Sequence, residues 1–472
     1  MKEFSITALA QTIKAEPTKN AGVFTGVSID SRTTQAGDCF FAIAGDNFDG
    51  HDYVPDAFAK GAACAVVSKD FKENKFAHKT ILKVNNTIKA LGRFALEYRR
   101  RAGFKVIAIT GSVGKTTTRQ ITYHVLSRHF RVFAAPKNFN NNIGLPLTLL
   151  SANPEDQIII AELGSNHRGE IAYLTRTAQP DIAVVTNVYP AHLAGFGDLQ
   201  TIIQEKLSIS EGLQAGGTLI INADCDQLVD ACLAKGIAFY AFGKSDRCDI
   251  QAQNITYNTT GSRFTIDGTQ VLLPLPGPGN VENAIAAWSI CRQLGITIDN
   301  FARTVKNLPA VPMRAELLQI GTLTVLNDCY NANPTSMKNA LDILAGLSFC
   351  NKSQKGVPVN LSSAKKQRLV FICGDMAELG QQTQALHVKL GTFIAQAKVQ
   401  LLLAVGKFAK ITANAAKASA KYNLQTKSFE DTLSACNNLE KFIKDYDIIL
   451  VKGSRVAALE MAVEKLKELF GK

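Results

Sequence analysis

Apolar β-branched runs separated by amphipathic stretches dominate the chain from Lys105 onward: "KVIAIT", "QIIIAEL", "DIAVVTN" and "GTLIIN" alternate with helical patterns. Runs apolar on both faces, interleaved with helices, predict a parallel sheet covered on each side. This region closes with a helix at "NVENAIAAWSICRQLG" and a proline-bearing connector, "LPAVPMR" at 308–314. A second alternation follows, with strands at "LTVLND", "LVFICGD", "VQLLLAVG" and "DIILVKG" and helices at "SMKNALDILAGL", "LHVKLGTFIAQA" and "VAALEMAVEKLKELF". The first hundred residues mix short strands ("CFFAI", "CAVVS") with a helix around "YVPDAFAKGA", and the helix "NTIKALGRFALEYRRR" leads out through Gly103. Residues 351–367 are polar, with Gly and Pro, and read as a surface insertion. The fold class expected is α/β in three domains, at 1–102, 103–311 and 312–472, in line with a 472-residue chain being too long for one core.

Composition narrows the setting. The apolar runs fall short of a membrane span, so no transmembrane segment is expected, and the amino-terminal "MKEFSITALAQTIKAEP" lacks the pattern of a signal peptide. Cys39, Cys64, Cys225, Cys232, Cys248, Cys291, Cys329, Cys350, Cys373 and Cys436 form no CxxC pair. They read as reduced thiols in a cytoplasmic protein. The net charge of +12 favours anionic partners, but the charges are dispersed and accompany no nucleic-acid module, so no nucleic acid is expected.

The chemistry concentrates at "VIAITGSVGKTTT", 106–118. A buried strand runs into Gly111, Ser112, Val113, Gly114, Lys115 and Thr116 and then into a helix, so backbone N–H groups and the helix dipole converge on one point that suits a polyanion. Lys115 is placed for the outer phosphates of an NTP and the Thr116 hydroxyl for magnesium. Ile109 stands where the first glycine of the usual Walker spacing would be, so the loop is a shortened variant. Glu162 ends the strand "QIIIAEL" and His192 follows the strand "DIAVVTN", where ligands bind beyond the carboxyl ends of parallel strands. A strand-end carboxylate suits magnesium; His192 taken alone reads more readily as an ordinary loop histidine, because imidazole is not a typical ligand of a hard ion. The motif establishes NTP binding and leaves the reaction open.

The ordered strings "TGSVGKTTT", "KNFNNNIGLPLTLL", "AELGSNHRGEI", "TNVYPAHLAGFG", "GPGNVENAIAA", "PMR", "NDCYNANPTSM", "GDMAELG" and "VKGSR" resemble the Mur ligases of bacterial peptidoglycan synthesis along essentially the whole chain. Within them the likeness is greatest to the branch that adds D-alanyl-D-alanine to UDP-N-acetylmuramoyl-tripeptide, with "YNANPTSM" and "GDMAELG" the most discriminating pieces. The amino-terminal "SIDSR" and "GDNFDGHDY" look like that family's uridine-nucleotide domain. The resemblance implies a small α/β uridine-nucleotide domain, a central parallel-sheet P-loop ATPase domain and a Rossmann-like carboxyl-terminal domain that receives the dipeptide and closes on ATP. It implies that Gly111 to Thr117 bind ATP, that Lys115 and Thr116 hold its phosphates and one of two magnesium ions, and that Glu162, His192 and Lys206 serve the metal, with Lys206 carrying a carbamate. Lys115, His192 and Lys206 are the catalytic positions. Asn283 is implied at the adenine, and Arg314 and Asp328 as ATP contacts from the third domain. Ser31 and Arg32 are expected at the uridine nucleotide, and Asn138, Asn141, Asn331, Asn333, Lys452, Ser454 and Arg455 at the remaining substrate groups. Val113 departs from a common asparagine, Ala194 from a frequent glutamate, and "KLSIS" from a lysine-plus-glutamate pattern. A monomeric, cytoplasmic, ADP-forming amide ligase is expected. The alternatives are a sister ligase that adds a single amino acid, as in other Mur ligases or folylpolyglutamate synthase, and an NTP-driven switch.

Overall fold

The computed structural model describes residues 3–17, 22–45, 47–72, 78–135, 139–190, 193–258, 261–350 and 367–471. Three α/β units follow one another along the chain, each around its own sheet. In the first, the strands Gly26–Ser28, Asp38–Phe41, Cys64–Ser68 and Thr80–Val84 lie parallel in that order, and Glu16–Pro17 adds an antiparallel edge. The helix Thr87–Ala102 leads out of it. Asn86 Oδ1 accepts from Lys89 N at its start, and Gly103, at φ +73°, ends it in the left-handed conformation that glycine adopts without steric cost.

The central sheet has seven strands, all parallel, in the order Ile250–Gln251, Tyr240–Gly243, Thr218–Asn222, Ile182–Val185, Lys105–Thr110, Ile158–Glu162, Val132–Ala134. Val106, Ile107, Ala108, Ile109 and Thr110 are all buried, as a two-sided strand requires. Lys105–Thr110 lies between Ile182–Val185 and Ile158–Glu162, and the chain leaves it first toward Val132–Ala134 and later crosses to Ile182–Val185 on its other side. This reversal opens a crevice at the strands' carboxyl ends, where the phosphate loop sits. The helix Pro278–Gln293 is buried from Val281 through Cys291 and packs beside the helix Lys115–Leu126, which accounts for its lack of a polar stripe.

The sequence pattern did not reveal the three-stranded antiparallel meander Gln253–Asn258, Gly261–Ile266, Thr269–Leu273 that covers one side of this unit. Its middle strand alternates, with Phe264 and Ile266 buried and Arg263 exposed, but the strands are short and rich in Thr, Asn and Gln. The third sheet runs Glu316–Ile320, Leu323–Asn327, Ile448–Lys452, Leu369–Gly374, Leu401–Val405, Gln425–Phe429, parallel except for its first strand. Its two edge strands also escaped the sequence reading, because an edge needs no continuous apolar run. Of the polar insertion read at 351–367, residues 351–366 lie outside the described residues. Among the described residues the cysteines are all free, and no helix is long and apolar enough to cross a membrane.

Candidate active site

Residues 111–116 turn sharply from strand to helix, and two glycines make the turn sterically feasible. Gly111 (φ +146°) and Gly114 (φ +85°) leave no room for a Cβ, which would collide with Thr186 Oγ1 and Asn283 Oδ1 respectively. The loop is fastened to the end of the neighbouring strand. Ser112 N donates to Asn187 O at 3.1 Å, Val113 N to Asn187 Oδ1 at 3.0 Å, Ser112 Oγ to Tyr189 O at 2.9 Å and Thr186 Oγ1 to Val113 O at 2.7 Å. Val113 thus contributes backbone, consistent with the side chain at this position being free to vary.

Lys115 Nζ donates to Gly111 O at 2.6 Å. Burial lowers its pKa to about 8, opposed by the Glu162 carboxylate and reinforced by Arg314. Thr116 Oγ1 lies 3.1 Å from Glu162 Oε2, and Glu162 Oε1 lies 3.1 Å from Arg119 Nε, with all three residues buried. Two hard oxygen donors held together beneath a phosphate loop fit a magnesium ion whose remaining ligands are phosphate and water. His192 lies outside the described residues, and among those described no cluster of three His, Cys, Asp or Glu forms.

Lys206 is the largest surprise in its surroundings. A lysine on a helix is ordinarily exposed, but here the helix Leu199–Leu207 turns Lys206 inward, where it is 2% exposed. Its Nζ donates to Ser165 Oγ at 2.7 Å and lies 5.6 Å from the centre of the Phe196 ring. Burial, followed by repulsion from Lys115, lowers its pKa to about 7 against the pull of Glu205 and Glu170. Glu205 is engaged elsewhere, accepting from Gly169 N and Ile171 N at the start of the helix Glu170–Ala178.

A cavity of about 580 Å³ joins this loop to the third unit. Lys115, Thr116, Thr117, Glu162, Ser165 and Asn283 line it from the central unit, and Arg314, Asp328, Asn331, Asn333, Lys452, Ser454 and Arg455 from the third. Lys452 is 2% exposed and binds Asp328 Oδ2 at 2.7 Å and Asn331 O at 2.9 Å, while Asp328 Oδ1 accepts from Ala315 N at 3.0 Å. The Arg314 guanidinium stacks 4.1 Å over the Tyr330 ring. Asn141 also lines the cavity, and its Oδ1 accepts from Ile143 N and Gly144 N at the entry to the helix Gly144–Ser151. Asn333 likewise accepts from Ser336 N beside the start of the helix Pro334–Cys350. Asn138 lies outside the described residues. Ser31 (buried) and Arg32 (exposed, paired with Asp30) belong to the first unit and are not among the residues lining this cavity.

The sequence reading missed Asn187, Arg119 and Ser165, which hold the loop, Glu162 and Lys206. Asn187 and Ser165 each sit just beyond a strand end in "VVTN" and "ELGSN", and that position was the available signal.

Comparison with known proteins places these features. Residues 23–99 match the model of the Mur ligase family, catalytic domain, residues 109–291 the Mur ligase middle domain, and residues 313–455 the Mur ligase, glutamate ligase domain. The chain is 32% identical over 472 residues to the UDP-N-acetylmuramoyl-tripeptide--D-alanyl-D-alanine ligase of Bacillus subtilis, covering 98% of each, and 33% identical over 451 residues to the Escherichia coli protein of the same name, covering 94% of this chain and 93% of the other. A crystal structure of MurF from Acinetobacter baumannii superposes with a TM-score of 0.86 at 29% identity over 99% of both chains. The MurF ligase of Thermotoga maritima in complex with ADP shares the fold, with a TM-score of 0.79 at 24% identity over 94% of this chain and 97% of that one. From first strand to last helix, the chain belongs to the Mur ligase family.

Proposed function

We propose that the chain joins D-alanyl-D-alanine to UDP-N-acetylmuramoyl-tripeptide at the expense of ATP, giving ADP, phosphate and the pentapeptide precursor of peptidoglycan. The observation that carries this reading is the shared cavity, in which a phosphate-binding loop faces a cationic wall from a second unit. The full-length relatives named for this ligation support the choice of substrates.

The chemistry requires activation, because a carboxylate is a poor electrophile toward an amine. ATP is a substrate that transfers its γ-phosphoryl group to the peptide carboxylate; a carboxylate oxygen bonds phosphorus and ADP leaves. The free amine of D-alanyl-D-alanine attacks the resulting acyl phosphate, loses a proton, and the carbon–oxygen bond to phosphate breaks as the amide forms. Two anions must approach each other in the first step. The loop N–H groups, Lys115 and Arg314 supply fixed positive charge there. Thr116 and Glu162 would hold magnesium, which when bound offsets phosphate charge.

Lys206 is expected to bear a carbamate, which would turn a cation into an anion beside the metal, with His192 as a further ligand. A pKa of about 7 leaves much of the amine neutral and able to add carbon dioxide near neutrality. Lys206→Ala should lose activity, and short carboxylic acids should restore part of it; failure of the rescue would count against the carbamate. We further infer a cytoplasmic monomer without a nucleic-acid partner.

The decisive assay supplies purified protein with ATP, Mg²⁺, the UDP-tripeptide labelled with ¹⁸O in its terminal carboxylate, and D-alanyl-D-alanine or single amino acids. ADP and pentapeptide should form one to one, with one label in the released phosphate. Product from a single amino acid alone, or unlabelled phosphate, would overturn the reading.

A further inference from the structure

Beside the cavity, behind the segment that lines its third-unit side, lies a buried histidine. His387, on the helix Thr383–Gln396, is 1% exposed. Its Nδ1 lies 2.7 Å from Thr383 O and its Nε2 3.1 Å from Met376 N. A carbonyl only accepts and a backbone N–H only donates, so these partners dictate a neutral ring with the proton on Nδ1 and a lone pair on Nε2. The ring stacks on Phe408 at 4.8 Å, which fixes its plane.

What Nε2 holds is the start of the segment "GDMAELG". Ala377, Glu378 and Leu379 of this segment line the cavity together with Ser454 and Arg455. Glu378 has φ +61°, a conformation unfavourable for a side-chain-bearing residue, so the segment needs outside restraint. Its carbonyl accepts from Ala194 N of the central unit at 3.2 Å, across the seam between units. Asp375, one residue before Met376, completes the tie. Its backbone carbonyl accepts from Ser454 N at 2.9 Å, and its carboxylate accepts from Phe408 N at 3.2 Å. His387 Nε2 also lies 3.8 Å from Asp375 Oδ1, so three segments, around 375–379, 408 and 454, converge on these two side chains.

We propose that His387 is a positioning residue of the ligation, whose Nε2 lone pair, through Met376 N–H, sets the 376–379 segment on the side of the cavity that receives the incoming dipeptide. The inference rests on the ligase reading above. Its consequence is expected to be selective, because the phosphate loop and Asn283 belong to a different unit.

Two amide replacements test it, since each keeps one half of the imidazole. In His387→Gln the side-chain oxygen can reach the place of Nε2 and still accept from Met376 N. In His387→Asn the shorter amide can replace Nδ1 but not Nε2. For the full-length protein, His387→Asn is expected to raise KM for D-alanyl-D-alanine at least tenfold and lower kcat, with KM for ATP within twofold of wild type. His387→Gln should stay within about threefold of wild type in every constant. Equal losses in both variants, or a rise in KM of similar size for every substrate, would overturn the proposal. If the Asn variant does not fold, ¹⁵N spectra of the wild-type ring decide: the Nδ1–H neutral tautomer supports the proposal and an Nε2–H tautomer refutes it. Wild-type protein that makes no pentapeptide at all would instead refute the ligase reading and not this geometry.

Discussion

A single buried amine shows how the site trades stability for chemistry. Lys206 ionises at about 7 when folded and at about 10.5 when exposed in the unfolded chain. Between those values the unfolded chain holds a proton that the folded one lacks, so raising pH through this window favours folding; below pH 7 the buried ammonium carries its full penalty. Lys206→Met, similar in length and apolar, removes that penalty. We expect the variant to be more stable than wild type by about 1–3 kcal/mol at pH 6, with the gap shrinking steadily toward pH 10. Urea denaturation of both proteins in carbon dioxide-free buffer checks this. A gap that is independent of pH would mean that the lysine is charged when folded. Activity should fall in the same variant, as expected where a strained group is kept for function.

At the scale of elements, the phosphate loop is the clearest case of sequence dictating geometry. Gly114 combines φ +85° with a Cβ direction blocked by Asn283 Oδ1. Gly114→Ala should cost about 1–2 kcal/mol for the left-handed backbone alone. It should also displace Asn283 and weaken ATP binding at least tenfold, measurable by calorimetry; unchanged affinity would show that the loop can re-form around a side chain. The strand, the turn and the helix here were legible because each leaves its own local signature: β-branched residues, glycines at the bend, and a GKTT helix start. The same holds for most central strands, whose runs are apolar on both faces. What was not legible depends on partners distant in sequence. Nothing near Lys206 announces Ser165, and nothing near Val113 announces Asn187, because strand order alone brings them together. Asn141 and Asn333 carry a related lesson: each side-chain oxygen accepts from backbone N–H groups at the start of a helix while the residue lines the cavity, a local use that the substrate motif does not announce.

At the scale of the whole molecule, the three units are joined unequally. The first is locked to the second: Arg99, 8% exposed, donates to Ala178 O and Gln179 O and pairs with Asp181 Oδ2 at 2.9 Å, while Tyr98 Oη donates to Ala152 O. An arginine buried with this many partners is costly to pull free. The third unit meets the central one along the cavity itself, through contacts such as Ala194 N to Glu378 O. Its connector divides in the same way. Leu308 packs in the central core, whereas Met313 N and Ala315 N are held by Glu316 and Asp328 of the third unit. The intervening residues 309–312 are Pro, Ala, Val and Pro, with both prolines exposed. Bending is therefore expected at 309–312, with the third unit moving as a body and the first two staying together. An acyl phosphate is destroyed by water, so the productive state should be the one in which Arg314 and Asp328 press on bound ATP. Small-angle scattering should show compaction on adding a nonhydrolysable ATP analogue with the UDP-tripeptide. A distance label between the first and second units should stay constant while one between the second and third shortens. Compaction without a change in the second distance, or no compaction at all, would rule out this hinge.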